Sequence, residues 1–162
     1  MAAARDAAPV VLALEALRTL RVIFGAARKH DALARRTAGM PGSQLWALAE
    51  IAGCAGIHMN GLSERLALHQ TTASNLVNAL VRGGLVRRVR DRADQRVVRL
   101  HATTEGRRAL LRAPGPHSGL LVDGLRRLTP GQLETLHDAL RGLVAVMLDA
   151  EPGSAGEPML GE

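Results

Sequence analysis

The chain has 162 residues, enough for one domain with an added helical arm, and 47% hydrophobic against 22% charged residues exclude wholesale disorder. One Trp, one Phe and no Tyr exclude a stacking platform for single-stranded nucleic acid or a ring-lined sugar groove. A formal net charge of +6 favours a polyanionic partner, and no apolar run reaches the roughly 20 residues of a membrane span.

Residues 1–8 are small and weakly patterned, a frayed lead-in without the basic and apolar regions of a signal peptide. From Pro9 to about Arg36, Val10, Leu14, Leu17 and Phe24 recur at helical spacing, with Pro9 suited to a first turn. Gly39-Met40-Pro41-Gly42 breaks that helix, and Ser43 is expected to cap the next, from Gln44 to about Cys54. Gly56 to Gly61 reads as a loop.

A short helix follows over Leu62–Leu68, then a turn at His69 and a second helix from Gln70 to about Arg82. Gly83-Gly84 stops it. Two Val/Arg-rich segments, Leu85–Arg90 and Arg96–His101, are split by Asp91-Arg92-Ala93-Asp94-Gln95 and form a hairpin. Alternation puts Val97, Arg99 and His101 on one face and Val98 and Leu100 on the other. Thr103 caps a helix to about Arg112, a Pro/Gly break follows, and another helix spans about His117–Leu128. Thr129-Pro130 opens the last helix, whose Leu133, Leu136, Leu140, Leu143 and Met147 are spaced 3, 4, 3 and 4. Residues 151–162 read as a flexible tail.

Helix, helix, turn, helix, hairpin is a winged helix-turn-helix, here in a mostly α (α+β) chain with helical arms on both sides. The charge is concentrated in it. Gly61–Arg112 holds 11 Arg against Glu64, Asp91, Asp94 and Glu105, a balance of +7; the remainder, 10 basic and 11 acidic residues, is at −1. The one cysteine, Cys54, cannot make an internal disulfide and suits a reducing compartment. Cys54, His58 and His69 lack a metal-ligand spacing, so neither metal nor cofactor is expected. No phosphate-binding glycine loop, nucleophile elbow or paired-histidine motif suggests an enzyme.

Taken together, Leu62–Leu68, Thr71–Leu80, Gly84–Arg88, the wing Asp91–Arg96 with Val97–Leu100, Thr103–Gly106 and Leu128–Pro130 resemble the MarR family of bacterial transcription regulators, over about residues 10–148. The resemblance implies a cytoplasmic, nucleoid-associated homodimer that binds a pseudo-palindromic operator in double-stranded DNA, usually as a repressor, and answers to a small-molecule effector. It divides the chain into an N-terminal dimerisation helix and loop (1–42), a DNA-binding core (43–112), C-terminal dimerisation helices (113–150) and the tail. Three positions depart from the family pattern: Gln95 replaces an arginine of the wing, Asn75 a basic residue, and His69 a capping serine.

On this reading Gln70, Thr71, Thr72, Ser74, Asn75 and Asn78 carry the major-groove contacts, since Asn and Gln pair bidentately with adenine and Thr packs on thymine methyls. Arg88, Arg90, Arg92 and Arg96 arm the wing, with Asp94 orienting the Arg96 guanidinium. Val10, Leu14, Leu17, Leu133, Leu136, Leu140, Leu143 and Met147 are the expected dimer contacts. Arg21, Phe24 and Trp46, with His30 and Met40 nearby, border the expected effector pocket. Two other classes compete: a protein-binding winged helix, and a redox sensor or enzyme built on Cys54. Protein docking does not require the +7 block. Thiol-sensing relatives use a tyrosine partner, which this chain lacks.

Overall fold

The computed structural model describes residues 2–91 and 94–150. The elements are α1 (Ala2–Ala38), α2 (Gly42–Gly53), β1 (Ile57–His58), α3 (Met59–Leu66), α4 (Gln70–Arg82), β2 (Val86–Arg90), β3 (Val98–Ala102), α5 (Thr104–Arg112), α6 (Leu120–Arg126) and α7 (Pro130–Ala150). They form two compact units, one ending at Asp123 and one starting at Gly124.

The helix α1 begins seven residues before Pro9, not at it. Alanine has the highest helix propensity, and the Ala-rich lead-in extends the helix although Pro9 removes one bond from the ladder. Between α1 and α2, Gly39 takes φ +71°, which a side chain would resist. Ser43 does not cap α2; Pro41 holds the cap position and offers no side-chain acceptor. Instead the Gly42 N–H donates to Asp31 Oδ1 at 2.6 Å, so the cap comes from eleven residues upstream.

The segment expected to be a loop contains β1 and the start of α3. Gly56, at φ +83°, donates its N–H to the Leu100 carbonyl at 3.0 Å, and Ile57 and His58 pair with Leu100 and Arg99. A two-residue strand has no periodicity of its own; only β3 beside it defines it. The sheet is antiparallel in the order β1-β3-β2, with Val86 opposite Ala102 and Arg90 opposite Val98.

Ile57, Val86 and Leu100 turn inward from the sheet onto Leu45, Leu48 and Ile51 of α2, Leu62 and Leu66 of α3, and Val77 and Leu80 of α4. Ala67, in the left-handed region at φ 52°, ends α3, and Leu68 donates back to the Ser63 carbonyl at 3.0 Å, setting the turn into α4. Thr103 caps α5 by accepting the Gly106 N–H at 3.0 Å, and its hydroxyl donates to the Gly84 carbonyl at 2.8 Å. Gly106 lies so close to β2 that a Cβ there would stand 2.2 Å from the Leu85 carbonyl oxygen.

The helix expected from His117 starts only at Leu120, after Gly119 at φ +85°. In the second unit, Thr129 and Gln132 form a reciprocal capping box: Gln132 Oε1 accepts the Thr129 N–H at 2.9 Å, and Thr129 Oγ1 accepts the Gln132 N–H at 3.3 Å. Along α7, Leu133, Leu140, Leu143 and Met147 are exposed and Leu136 is half-buried. Val10, Leu14, Leu17 and Phe24 are likewise exposed on α1. Among the described residues no helix is long and apolar enough to cross a membrane.

Candidate nucleic-acid interface

Every third or fourth residue of α4 is committed to the core: Ala73, Val77 and Leu80 are fully buried. At 100° per residue the opposite face carries Thr71, Asn75, Asn78 and Arg82, all exposed, with Gln70 and Ser74 on one flank and Thr72 on the other. Arg82 belongs to this row by its spacing of 4, 7 and 11 from the other three, although the sequence reading left it out. The N-terminal end of α4 meets the start of α3. There Gln70 Nε2 donates to Asn60 Oδ1 at 3.0 Å, and Met59 joins Gln70, Thr71, Ser74 and Asn75 around a shallow hollow. Asn60 and Met59 were missed because their segment lacks any local helix signal beyond its position before Leu62.

The hairpin stands beside α4. In β2, Val86, Arg88 and Arg90 share one pleat face, and Val86 anchors that face in the core. Arg88 therefore turns toward α4, where its Nη2 donates to Asn78 Oδ1 at 2.7 Å. Arg90 and Arg96 are exposed. Arg92, expected at the wing tip, lies outside the described residues.

Asp94 does not grip the guanidinium of Arg96 as expected. Its Oδ1 accepts the Arg96 main-chain N–H at 2.9 Å, the local bond by which aspartate stabilises a turn. Among the described residues of the wing an ionic clasp lies at its base, where the Arg99 guanidinium pairs with Asp91 and also donates to the Gly56 carbonyl at 3.3 Å. Alternation places position 99 on the outer sheet face, but two-residue spacing made Asp94 and Arg96 look like partners. Across the hairpin Asp91 and Arg99 are nearer, because the chain reverses between them.

An exposed polar helix face beside an arginine-bearing hairpin invites comparison with known proteins. Residues 38–97 match the model of the MarR family. Over these residues the winged-helix segment is similar to the MarR family. Among solved structures of the same fold are the transcriptional regulator BldR from Sulfolobus Solfataricus (TM-score 0.54, 23% identity, 84% of this chain and 96% of that chain), Streptococcus pneumoniae FabT in complex with DNA (0.56, 20%, 85% and 99%) and the S. aureus MepR-DNA complex (0.57, 18%, 82% and 97%). No curated protein matches the chain.

Two departures from the MarR pattern are visible in the geometry. His69 holds the N-cap of α4 but its side chain makes no capping hydrogen bond. Asn75 stands exposed in the middle of the outward row. The residues expected at an effector pocket are dispersed in role. Arg21 and Phe24 are on the exposed side of α1, whereas Trp46 packs against the core and donates from Nε1 to Glu50 Oε1 at 3.1 Å. Glu50 also accepts from Arg65 at 3.0 Å, which ties α2 to α3.

Cys54 is half-buried against the core, and His58 and His69 are exposed. No group of three metal-ligating residues occurs among the described residues. Next to the winged-helix segment, partial burial pushes the Asp31 carboxyl up, but the Gly42 N–H, the Arg35 guanidinium and neighbouring His30 outweigh it and hold Asp31 below the ordinary carboxylate range.

Proposed function

We propose that this protein is a sequence-specific DNA-binding transcription regulator, a homodimeric repressor whose hold on its operator responds to a small-molecule effector. The observation that carries the reading is the exposed row Thr71, Asn75, Asn78 and Arg82, flanked by Gln70 and standing beside a hairpin that presents Arg90 and Arg96. A helix fits the major groove, its outward amides read base edges, and hairpin arginines suit a narrow minor groove. The +7 block of residues 61–112 supplies the phosphate attraction that a protein-docking winged helix would not need. Solved structures of the same fold include FabT and MepR bound to DNA, which supports the reading.

In this proposal residues 43–112 read DNA, while 1–42 and 113–150 join two copies through Val10, Leu14, Leu17, Leu133, Leu136, Leu140, Leu143 and Met147. The exposed apolar faces of α1 and α7 support that assignment. Arg21, Phe24 and Trp46 are assigned to the neighbourhood of the effector. The protein then works in the cytoplasm on the nucleoid, as a regulator and not as an enzyme.

Selection of bound duplexes from random and genomic DNA tests the proposal. The expected product is a pseudo-palindrome with half-site centres about 10 base pairs apart, one turn of the duplex. Recovery of no enriched sequence at physiological salt would overturn it.

A further inference from the structure

The bond between Arg88 and Asn78 bears on which base the middle of the recognition helix reads. A free asparagine presents an acceptor and a donor side by side, the pattern that pairs with adenine. Here Asn78 Oδ1 accepts from Arg88 Nη2 at 2.7 Å. A guanidinium carries five N–H donors and no acceptor, so only the amide oxygen can face it; turning the amide over would set NH2 against N–H. Chemistry thus decides the orientation. Val86 anchors the strand that carries Arg88, and Val77 beside Asn78 is fully buried, so the core holds both backbones. What the pair has left is two amide and four guanidinium hydrogens against one lone pair of Oδ1, and that lone pair lies beside a cation.

We propose that Arg88 is a positioning residue that makes Asn78 a hydrogen-bond donor to DNA, so that the base under Asn78 is read as guanine and not as adenine. This rests on the DNA-binding reading above and sharpens it. Guanine presents two acceptors, O6 and N7, on its major-groove edge. Adenine presents N7 beside N6–H. That N6–H would meet the one lone pair of Oδ1 next to the guanidinium, a partly positive hydrogen approaching a positive charge. Exclusion of water from the groove strengthens the preference, because a charge-assisted bond gains in low dielectric. The general match of asparagine to adenine belongs to an asparagine whose oxygen carries no cation, and Asn78 is not one. A wing residue thereby acquires a part in specificity through a side chain of the recognition helix.

The test uses the full-length protein and selection from random duplex DNA with wild type, Asn78→Ala, Arg88→Leu and the double variant. The position read by Asn78 is the one at which Asn78→Ala changes the preference. There wild type should favour guanine over adenine by about tenfold. Arg88→Leu frees Oδ1 and should bring that ratio to one or below, while the double variant should show no preference. Inosine keeps O6 and N7 and lacks only the minor-groove amino group, so in place of guanine it should bind wild type equally well. Each readout is a ratio between duplexes, so partial misfolding of a variant does not move it. The assignment is overturned, with the DNA-binding reading left standing, by a ratio that Arg88→Leu leaves unchanged, by a wild type that favours adenine there, by loss of binding with inosine, or by a motif in which no position responds to Asn78→Ala. No enriched motif with wild type overturns both.

Discussion

Arg88 and Asn78 are joined by a 2.7 Å hydrogen bond that fastens the first wing strand to the middle of the recognition helix. Both residues are exposed, and each has polar atoms left over. The bond orients Asn78 with its oxygen toward the wing, so its NH2 group is the part left for DNA.

Because the two side chains act as a unit, their effects on operator affinity should not add. Asn78→Ala and Arg88→Ala should each cost about 1–3 kcal/mol, and the double variant should cost clearly less than the sum. Arg88→Ala alone should lower the slope of log affinity against log salt by about one. Additive losses in a double-mutant cycle would show that the two residues contact DNA independently.

The two acid–arginine relationships in the wing separate by a different measurement. Arg96 is exposed and its guanidinium is not held by Asp94, so Arg96→Ala should lower the salt slope by about one. Arg99 is paired with Asp91 and tied to Gly56, so Arg99→Leu should chiefly loosen the sheet and leave that slope nearly unchanged. Asp94→Ala should weaken operator binding by about 1 kcal/mol, the order of one turn-stabilising hydrogen bond, despite removing a negative charge. Tighter binding by Asp94→Ala would mean that the turn does not need its carboxylate.

Leu136→Glu together with Leu140→Glu should leave monomers at micromolar concentration and abolish operator binding, since charges on an apolar seam oppose association. Sedimentation equilibrium checks this directly. A wild-type monomer in the same experiment would remove the basis for the dimer assignment.

Gly106 gives the sharpest stability prediction. A methyl group there would stand 2.2 Å from the Leu85 carbonyl oxygen, which is backbone and cannot swing away. Gly106→Ala should therefore destabilise by at least about 2–3 kcal/mol and lower the unfolding midpoint by about 5–10 °C. Gly131→Ala, with no neighbour within 4 Å, serves as the control and should change the midpoint little.

Asp31 gives a pH-dependent one. Its folded carboxyl titrates below the ordinary value, so its contribution is complete above about pH 4 and is lost as pH falls through the lower folded value. Asp31→Asn keeps an acceptor for the Gly42 N–H and loses only the charge, so it should lose about 0.3–1 kcal/mol at pH 7, the usual worth of a negative charge at a helix N-terminus. The gap between wild type and variant should narrow in chemical denaturation as pH falls from about 4 through the lowered folded value of Asp31. A gap of the same size throughout the acid range would mean the charge of Asp31 contributes nothing.

The sequence by itself determined the start of α4 at Gln70, its stop at Gly83-Gly84, the hairpin and the Thr103 cap of the winged helix-turn-helix, and beyond it the Thr129 cap and the heptad spacing of α7. Those features are local, set by periodicity, propensity and glycine, and so each can be read from a window of a few residues. The polar row of α4 was legible for the same reason, because its buried counterparts Ala73, Val77 and Leu80 recur at helical spacing. What the tertiary structure decided were the partnerships between windows. Asp31 caps a helix eleven residues away, Arg99 pairs with Asp91 while Asp94 holds a backbone N–H, and β1 exists only because β3 lies beside it. Likewise Asn60 comes to Gln70 and Arg88 to Asn78, each across ten residues, because α3, α4 and β2 pack on one core. A hydrogen bond needs its partners within about 3 Å, and chain separation sets no such distance until the hydrophobic core has placed the elements.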